Sequence, residues 1–255
     1  MSAHRPSSLV PLLLCLGAGA AYAEDDPRTY GVHPDRLVFG MATVLSGPSA
    51  SLGQEMLRGV QAQFDEINAA GGVYGRRLEL VAVDDGYEPA RTAPLMRELI
   101  TQRHVFGVVG NVGTPTAVVA VPIANELGVP FFGAFTGAGL LRKSPPDRWV
   151  INYRASYGEE TAEMVEGLVK EVGIPPERIA FFTQNDAYGD AGYRGGLAAL
   201  RKLGFEATSR LVHGRYPRNT THVEDGLSRI LEARVPPRAV IMVGAYKACA
   251  RFIQL

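Results

Sequence analysis

The feature that most constrains this chain is an alternation of two textures from residue 35 onward. Short apolar runs at 37–43, 77–84, 105–109, 130–134, 149–153, 178–183, 208–212 and 239–243 read as strands. Between them lie longer stretches with apolar residues every three or four positions. Leu52, Met56, Val60, Phe64 and Ile67 fall on one helical face, and Gly71-Gly72 stops that helix. Further helices are expected at 89–102, 115–127, 159–172, 191–203, 223–234 and 246–255. Strand–helix alternation of this kind predicts parallel βαβ units with right-handed crossovers and helices on both sheet faces. There are too many strands for one small sheet, and they divide near 148–156. An α/β fold of two Rossmann-like lobes is therefore expected, residues 36–151 and 152–255, with the crossing strand as hinge.

The amino terminus predicts an export route. His4 and Arg5 precede an apolar run from Leu9 to Ala21, and Ala21-Tyr22-Ala23 is a small-x-small cleavage site ahead of Glu24-Asp25-Asp26-Pro27. Residues 1–23 are expected to be a signal peptide, cleaved after Ala23, and 24–35 a short extension. The apolar run is shorter than the ~20 residues of a membrane span. Leu14 before Cys15 argues against lipidation. Cleavage leaves Cys249 as the one cysteine, read as a small packed residue on a helix.

Several function classes are disfavoured. Lys+Arg and Asp+Glu both number 26, so nothing electrostatic points to nucleic acid. The nucleophile elbow, the phosphate-binding P-loop and the dinucleotide fingerprint are absent, and no histidine pair has zinc-helix spacing. Asp84 and Asp85 are adjacent at a strand end and point to opposite faces. They read as turn and capping groups before they read as an acid/base pair. No metal and no cofactor are expected.

In open α/β sheets, ligands sit beyond the carboxyl ends of the strands. Leu45 to Gly53, with Ser46, is small and hydroxyl-rich. Gly110-Asn111-Val112-Gly113-Thr114-Pro115-Thr116 puts an N-cap and a first-turn proline at a helix start. The same residues serve ordinary capping or a site for a small anion such as a carboxylate, with no Lys or Arg in that loop. Gly133-Ala134-Phe135-Thr136 offers close backbone approach and a hydroxyl. In the second half, Asp186 reads as a helix cap or an ammonium partner, Tyr188 as a ring over a ligand, and Tyr246 as a second such ring.

These stretches, with Ile67-Asn68-Ala69-Ala70-Gly71-Gly72-Val73-Tyr74-Gly75-Arg76 and Asn185-Asp186-Ala187-Tyr188-Gly189, resemble extracytoplasmic solute-binding proteins of ABC transporters, of the leucine/isoleucine/valine-binding type. The resemblance covers nearly all of 36–255. It implies the type I periplasmic binding protein fold, two lobes closing on a ligand. It implies that Val112, Gly113 and Thr114 hold an amino acid's polar end. Ala134, Phe135 and Thr136 would form a second ligand loop, and Tyr188 and Tyr246 would reach over from the other lobe. At Leu52, leucine binders of this family commonly carry an aromatic residue. Family members also run beyond residue 255, so the second lobe is expected to be incomplete.

The function expected is capture of a small amino acid, or a related carboxylate or amide, in an interlobe cleft. The closed form would pass it to an inner-membrane permease from a monomer in the periplasm. The alternatives are a ligand-sensing ectodomain and, more remotely, an α/β hydrolase using Asp84, Asp85 or Asp186.

Overall fold

The computed structural model describes residues 29–255, so the expected signal peptide lies outside the described residues. Two parallel sheets form, as the alternation predicts. The first contains β1 (Arg36–Thr43), β2 (Arg77–Asp84), β3 (Gly107–Val109), β4 (Phe131–Phe132) and β5 (Val150–Ile151), in the order β2-β1-β3-β4-β5. Between them run α1 (Ala50–Ala69), α2 (Pro89–Thr101) and α3 (Thr114–Leu127). The second sheet has the order β7-β6-β8, from β6 (Ile179–Gln184), β7 (His213–Tyr216) and β8 (Ala239–Val243). Its helices are α4 (Tyr157–Glu166), α5 (Ala187–Lys202), α6 (Glu224–Leu231) and α7 (Tyr246–Gln254).

Each sheet has its own core. Met96, Leu99 and Ile100 of α2 and Ala120, Val121 and Ala124 of α3 pack against Val108 and Phe131. In the second lobe Phe181, Leu200 and Ile241 meet on one face of the sheet, while Phe182, Tyr216 and Phe252 meet on the other. Covering a parallel sheet on both faces is what makes β6 buried at every position. Helix α5 approaches that sheet closely because Gly196 faces it; a Cβ there would strike the Phe181 ring. Helix α1 is less buried. Its predicted stripe of Leu52, Met56, Val60, Phe64 and Ile67 is half-buried throughout.

The Ile67–Arg76 motif proves to be a structural joint. Asn68 Nδ2 donates to the Leu78 carbonyl at 2.9 Å, and Asn68 Oδ1 accepts from the Leu78 N–H at 2.7 Å. One side chain thus ties the end of α1 to the start of β2.

Two expectations are corrected. The strand expected at 208–212 forms instead at β7. Residues 208–210 coil as a 3₁₀ turn whose Thr208 hydroxyl is held by Arg201. Strand β7 is a sheet edge; Gly214 and Tyr216 are buried on one face, while the polar His213 and Arg215 are half-buried against α5 on the other and hide the pattern. The helix expected at 159–172 starts at Tyr157, because Ser156 and Glu159 form a capping box. It turns into a π-turn at Gly167–Glu171.

Candidate functional site

Residues that follow seven of the eight strands enclose a cleft of about 110 Å³. Leu52 follows β1, Tyr87 follows β2, Val112 and Gly113 follow β3, and Phe135 follows β4. Arg154 and Tyr157 follow β5, Tyr188 follows β6, and Gly244 to Tyr246 follow β8. The space suits a small solute.

Val112, Gly113, Phe135, Tyr188 and Tyr246, expected from sequence, line this cleft together. Four other expected residues do not line it. Ser46 is exposed, and its hydroxyl donates to Asp84 Oδ2. Ala134 and Thr136 are buried behind Phe135. Thr114 is buried too, and its Oγ1 lies 2.6 Å from Thr136 Oγ1. One hydroxyl donates to the other, Thr136 Oγ1 also accepts from the Ala138 N–H at 3.2 Å, and the pair braces the α3 and β4 loops.

The N-cap position of α3 is also corrected. Gly113, not Thr114, occupies it, at φ +103°, and no side chain caps the helix. That conformation suits glycine, and a Cβ at Gly113 would strike the Tyr87 ring. The β4 loop locks the turn: Phe135 N–H donates to Asn111 O at 2.7 Å, and Gly113 N–H donates to Phe135 O at 3.3 Å. The N–H groups of Thr114 and Thr116 lie in the first turn, with no intrahelical acceptor. With the positive end of the helix dipole they favour a carboxylate.

Sequence reasoning missed Tyr87, Arg154 and Tyr157. Each follows a strand end, so the rule that picked the other loops would have found them had it been applied to β2 and β5. Tyr87 is buried, with φ +62°, and its N–H is held by Asp85 Oδ1 at 2.9 Å. Thr92 Oγ1 donates to the other Asp85 oxygen at 2.9 Å. Burial pushes the Asp85 carboxyl up; the Tyr87 and Thr92 hydrogen bonds oppose that. At Asp84 burial is outweighed by hydrogen bonds from the Ser46 hydroxyl and the Leu45 and Gly86 N–H groups, which hold it at about 2. Both aspartates therefore shape the loop.

Arg154 brings the charge that the α3 loop lacks. Its guanidinium lies 4.8 Å from the Phe135 ring centre and 5.4 Å from that of Tyr157. Glu160 takes its Nε at 3.0 Å and its Nη2 at 3.2 Å. Tyr157 and Tyr188 meet with ring centres 5.0 Å apart. Asp186 caps α5, accepting from the Tyr188 N–H at 2.9 Å, and also accepts from Gln184 Nε2 at 2.6 Å. Gln184 Nε2 reaches the Tyr87 hydroxyl at 3.4 Å, joining the second lobe to the first.

Among the described residues, no His, Cys, Asp or Glu cluster could hold a metal, and no helix is long and apolar enough to cross a membrane. Cys249 is free on α7, and burial pushes its thiol up to about 11.

This architecture matches known proteins along most of its length. A Leu/Ile/Val-binding protein homolog 7 from Brucella abortus is 29% identical over 242 residues, covering 91% of this chain and 55% of that protein. The chain thus spans about half the length of the curated relatives it matches. A solved structure described as a possible leucine/isoleucine/valine-binding protein from Rhodopirellula baltica is 56% identical. It superimposes with a TM-score of 0.82 over 86% of this chain and 58% of its own. The LivJ substrate-binding protein of Streptococcus pneumoniae, solved with isoleucine, shares the fold at 22% identity, with a TM-score of 0.66 over 82% of this chain and 57% of its own. The sequence profile of the family described as periplasmic binding protein matches residues 37–254, and this chain belongs to that family of binding proteins, which are not enzymes.

Proposed function

We propose that this chain is the ligand-binding part of an extracytoplasmic solute-binding protein. It captures a small amino acid, or a related carboxylate or amide, between two lobes that divide near residue 151. The filled form is handed to an inner-membrane ABC permease. Export through a signal peptide cleaved after Ala23 places it in the periplasm, where it acts as a monomer without metal or cofactor.

The observation that carries this reading is the cleft itself. Aromatic residues from both lobes, Tyr87 and Phe135 from one and Tyr188 and Tyr246 from the other, line the cleft together with Gly113 at the uncapped start of α3. The solute's polar end docks at the first turn of α3, where fixed N–H groups and the helix dipole replace water. Tyr188 and Tyr246 then cover the apolar end, and lobe closure excludes solvent. The Brucella and Rhodopirellula relatives support the solute class, since their names refer to leucine, isoleucine and valine.

The test is thermal melting of residues 24–255 with a panel of amino acids, amides and small carboxylates. One class should raise the midpoint, following ~RT ln(1 + [L]/Kd). The variant Tyr188→Ala should lose most of that rise. A cooperative melt indifferent to every solute, or a rise that survives Tyr188→Ala undiminished, would overturn the assignment.

A further inference from the structure

We propose that Arg154 makes the cleft selective for small carboxylates that carry no ammonium group, on a flat apolar body such as an arylacetate. This inference rests on the solute-binding reading above and narrows it.

Arg154 is the one charged side chain among the described residues that line the cleft. An α-amino acid brings an ammonium as well as a carboxylate, and a desolvated ammonium needs an acceptor or a counter-charge. The nearby acids are already engaged. Glu160 is bonded to Arg154 through two donors, and Asp186 is bonded to the Tyr188 N–H and Gln184 Nε2. Glu88, next in sequence to Tyr87, accepts from Arg218 and Asn219.

Aromatic faces can also hold an ammonium. Here the Arg154 guanidinium already lies over Phe135 and Tyr157, so those two ring faces are taken. Helices α3 and α7, neither capped by a side chain, present Gly113 and Tyr246 at or next to their first residues, and both line the cleft. Their dipoles add positive potential there.

An anion meets the opposite situation. Glu160 occupies Nε and Nη2 of Arg154, whereas Nη1 makes no hydrogen bond among the described residues. A carboxylate can take that donor together with the α3 first turn. Five rings, those of Tyr87, Phe135, Tyr157, Tyr188 and Tyr246, then surround a planar body, which favours edge and offset stacking.

Calorimetry on the mature protein with phenylacetate, phenylacetamide and leucine tests this. Phenylacetate should bind about tenfold or more tightly than either of the others, the scale of one charge-assisted hydrogen bond. The paired variant Arg154→Gln/Glu160→Gln keeps a neutral hydrogen-bonded pair, and its melting midpoint reports folding. In it the preference for phenylacetate over phenylacetamide should fall at least about tenfold. Leucine binding more tightly than phenylacetate, or an unchanged acid-to-amide ratio in the folded variant, would overturn the inference and leave the solute-binding reading standing. Failure of all three solutes and of the wider panel to bind would overturn both.

Discussion

Arg218 Nη2 donates to Glu88 Oε2 at 2.6 Å, joining the loop after β7 to the residue that precedes α2. Asn219 donates to Glu88 Oε1 at 2.6 Å and to the Gly86 carbonyl at 3.0 Å and accepts from the Ser49 hydroxyl at 3.4 Å, so four hydrogen bonds bridge the two lobes here. Burial would raise the Glu88 carboxyl, but the Arg218 and Asn219 hydrogen bonds and the Arg218 charge hold it below the usual glutamate range.

Glu88→Gln should therefore loosen the contact between lobes. The pair is partly exposed, so the expected loss in apparent solute affinity is only about 2–5-fold, larger at low salt. Because the folded carboxyl titrates below its ordinary value, the contact is complete above that value. It is lost as pH falls through the lowered one. Interlobe fluorescence transfer in the wild type and Glu88→Gln checks this. Identical profiles in the two proteins would remove Glu88 from the contact.

His213 gives a second, separate pH effect. Burial, with the Arg215 charge, lowers it from 6.5 to about 4, and its Nε2 lies 2.7 Å from Thr183 Oγ1. The neutral form is the one that folds well, so its contribution is whole above pH 6.5 and is lost as pH drops toward 4. Melting midpoints between pH 7 and 5 should fall further for the wild type than for His213→Gln. Parallel curves would count against the assignment.

Asn68→Ala should weaken the fold and not the site. It removes two hydrogen bonds to Leu78, at about 1 kcal/mol each, so a loss of about 1–3 kcal/mol is expected in denaturant unfolding. Solute affinity in the folded fraction should stay the same. An affinity change with intact stability would give this motif a direct part in binding.

Gly113→Ala attacks both. The residue sits at φ +103°, and the added carbon would strike the Tyr87 ring, so about 1–3 kcal/mol of stability should go. Displacing Tyr87 reshapes the cleft, and binding should fall by much more than for Thr114→Val, which only unbraces Thr136. Equal losses for the two variants would argue that Tyr87 does not shape the ligand space.

Most of the fold was legible because hydrophobic period is a local property. Alternating runs and helical stripes such as Leu52 to Ile67 identify strands and helices without reference to partners, and strand–helix alternation then leaves few topologies. The edge strand β7 escaped this reading because two of its four residues, His213 and Arg215, are polar and only half-buried, so no apolar run marks it. The candidate site was legible only in part. Loops opening with Gly, Ser, Thr and Pro announce themselves, and Val112, Gly113, Phe135, Tyr188 and Tyr246 do converge. Thr114 and Thr136 have the right chemistry, but no sequence pattern says that two hydroxyls separated by 22 positions bond each other instead of a ligand.

What the sequence by itself determined is the α/β fold of two lobes and the family, since these follow from periodicity and short motifs. Only the tertiary structure decided which groups face the cleft. It turned Ser46 outward onto Asp84, buried Thr114, and brought Arg154 over the rings of Phe135 and Tyr157. The charge a ligand meets depends on distances between residues far apart in the chain, and those distances exist only once both sheets have packed.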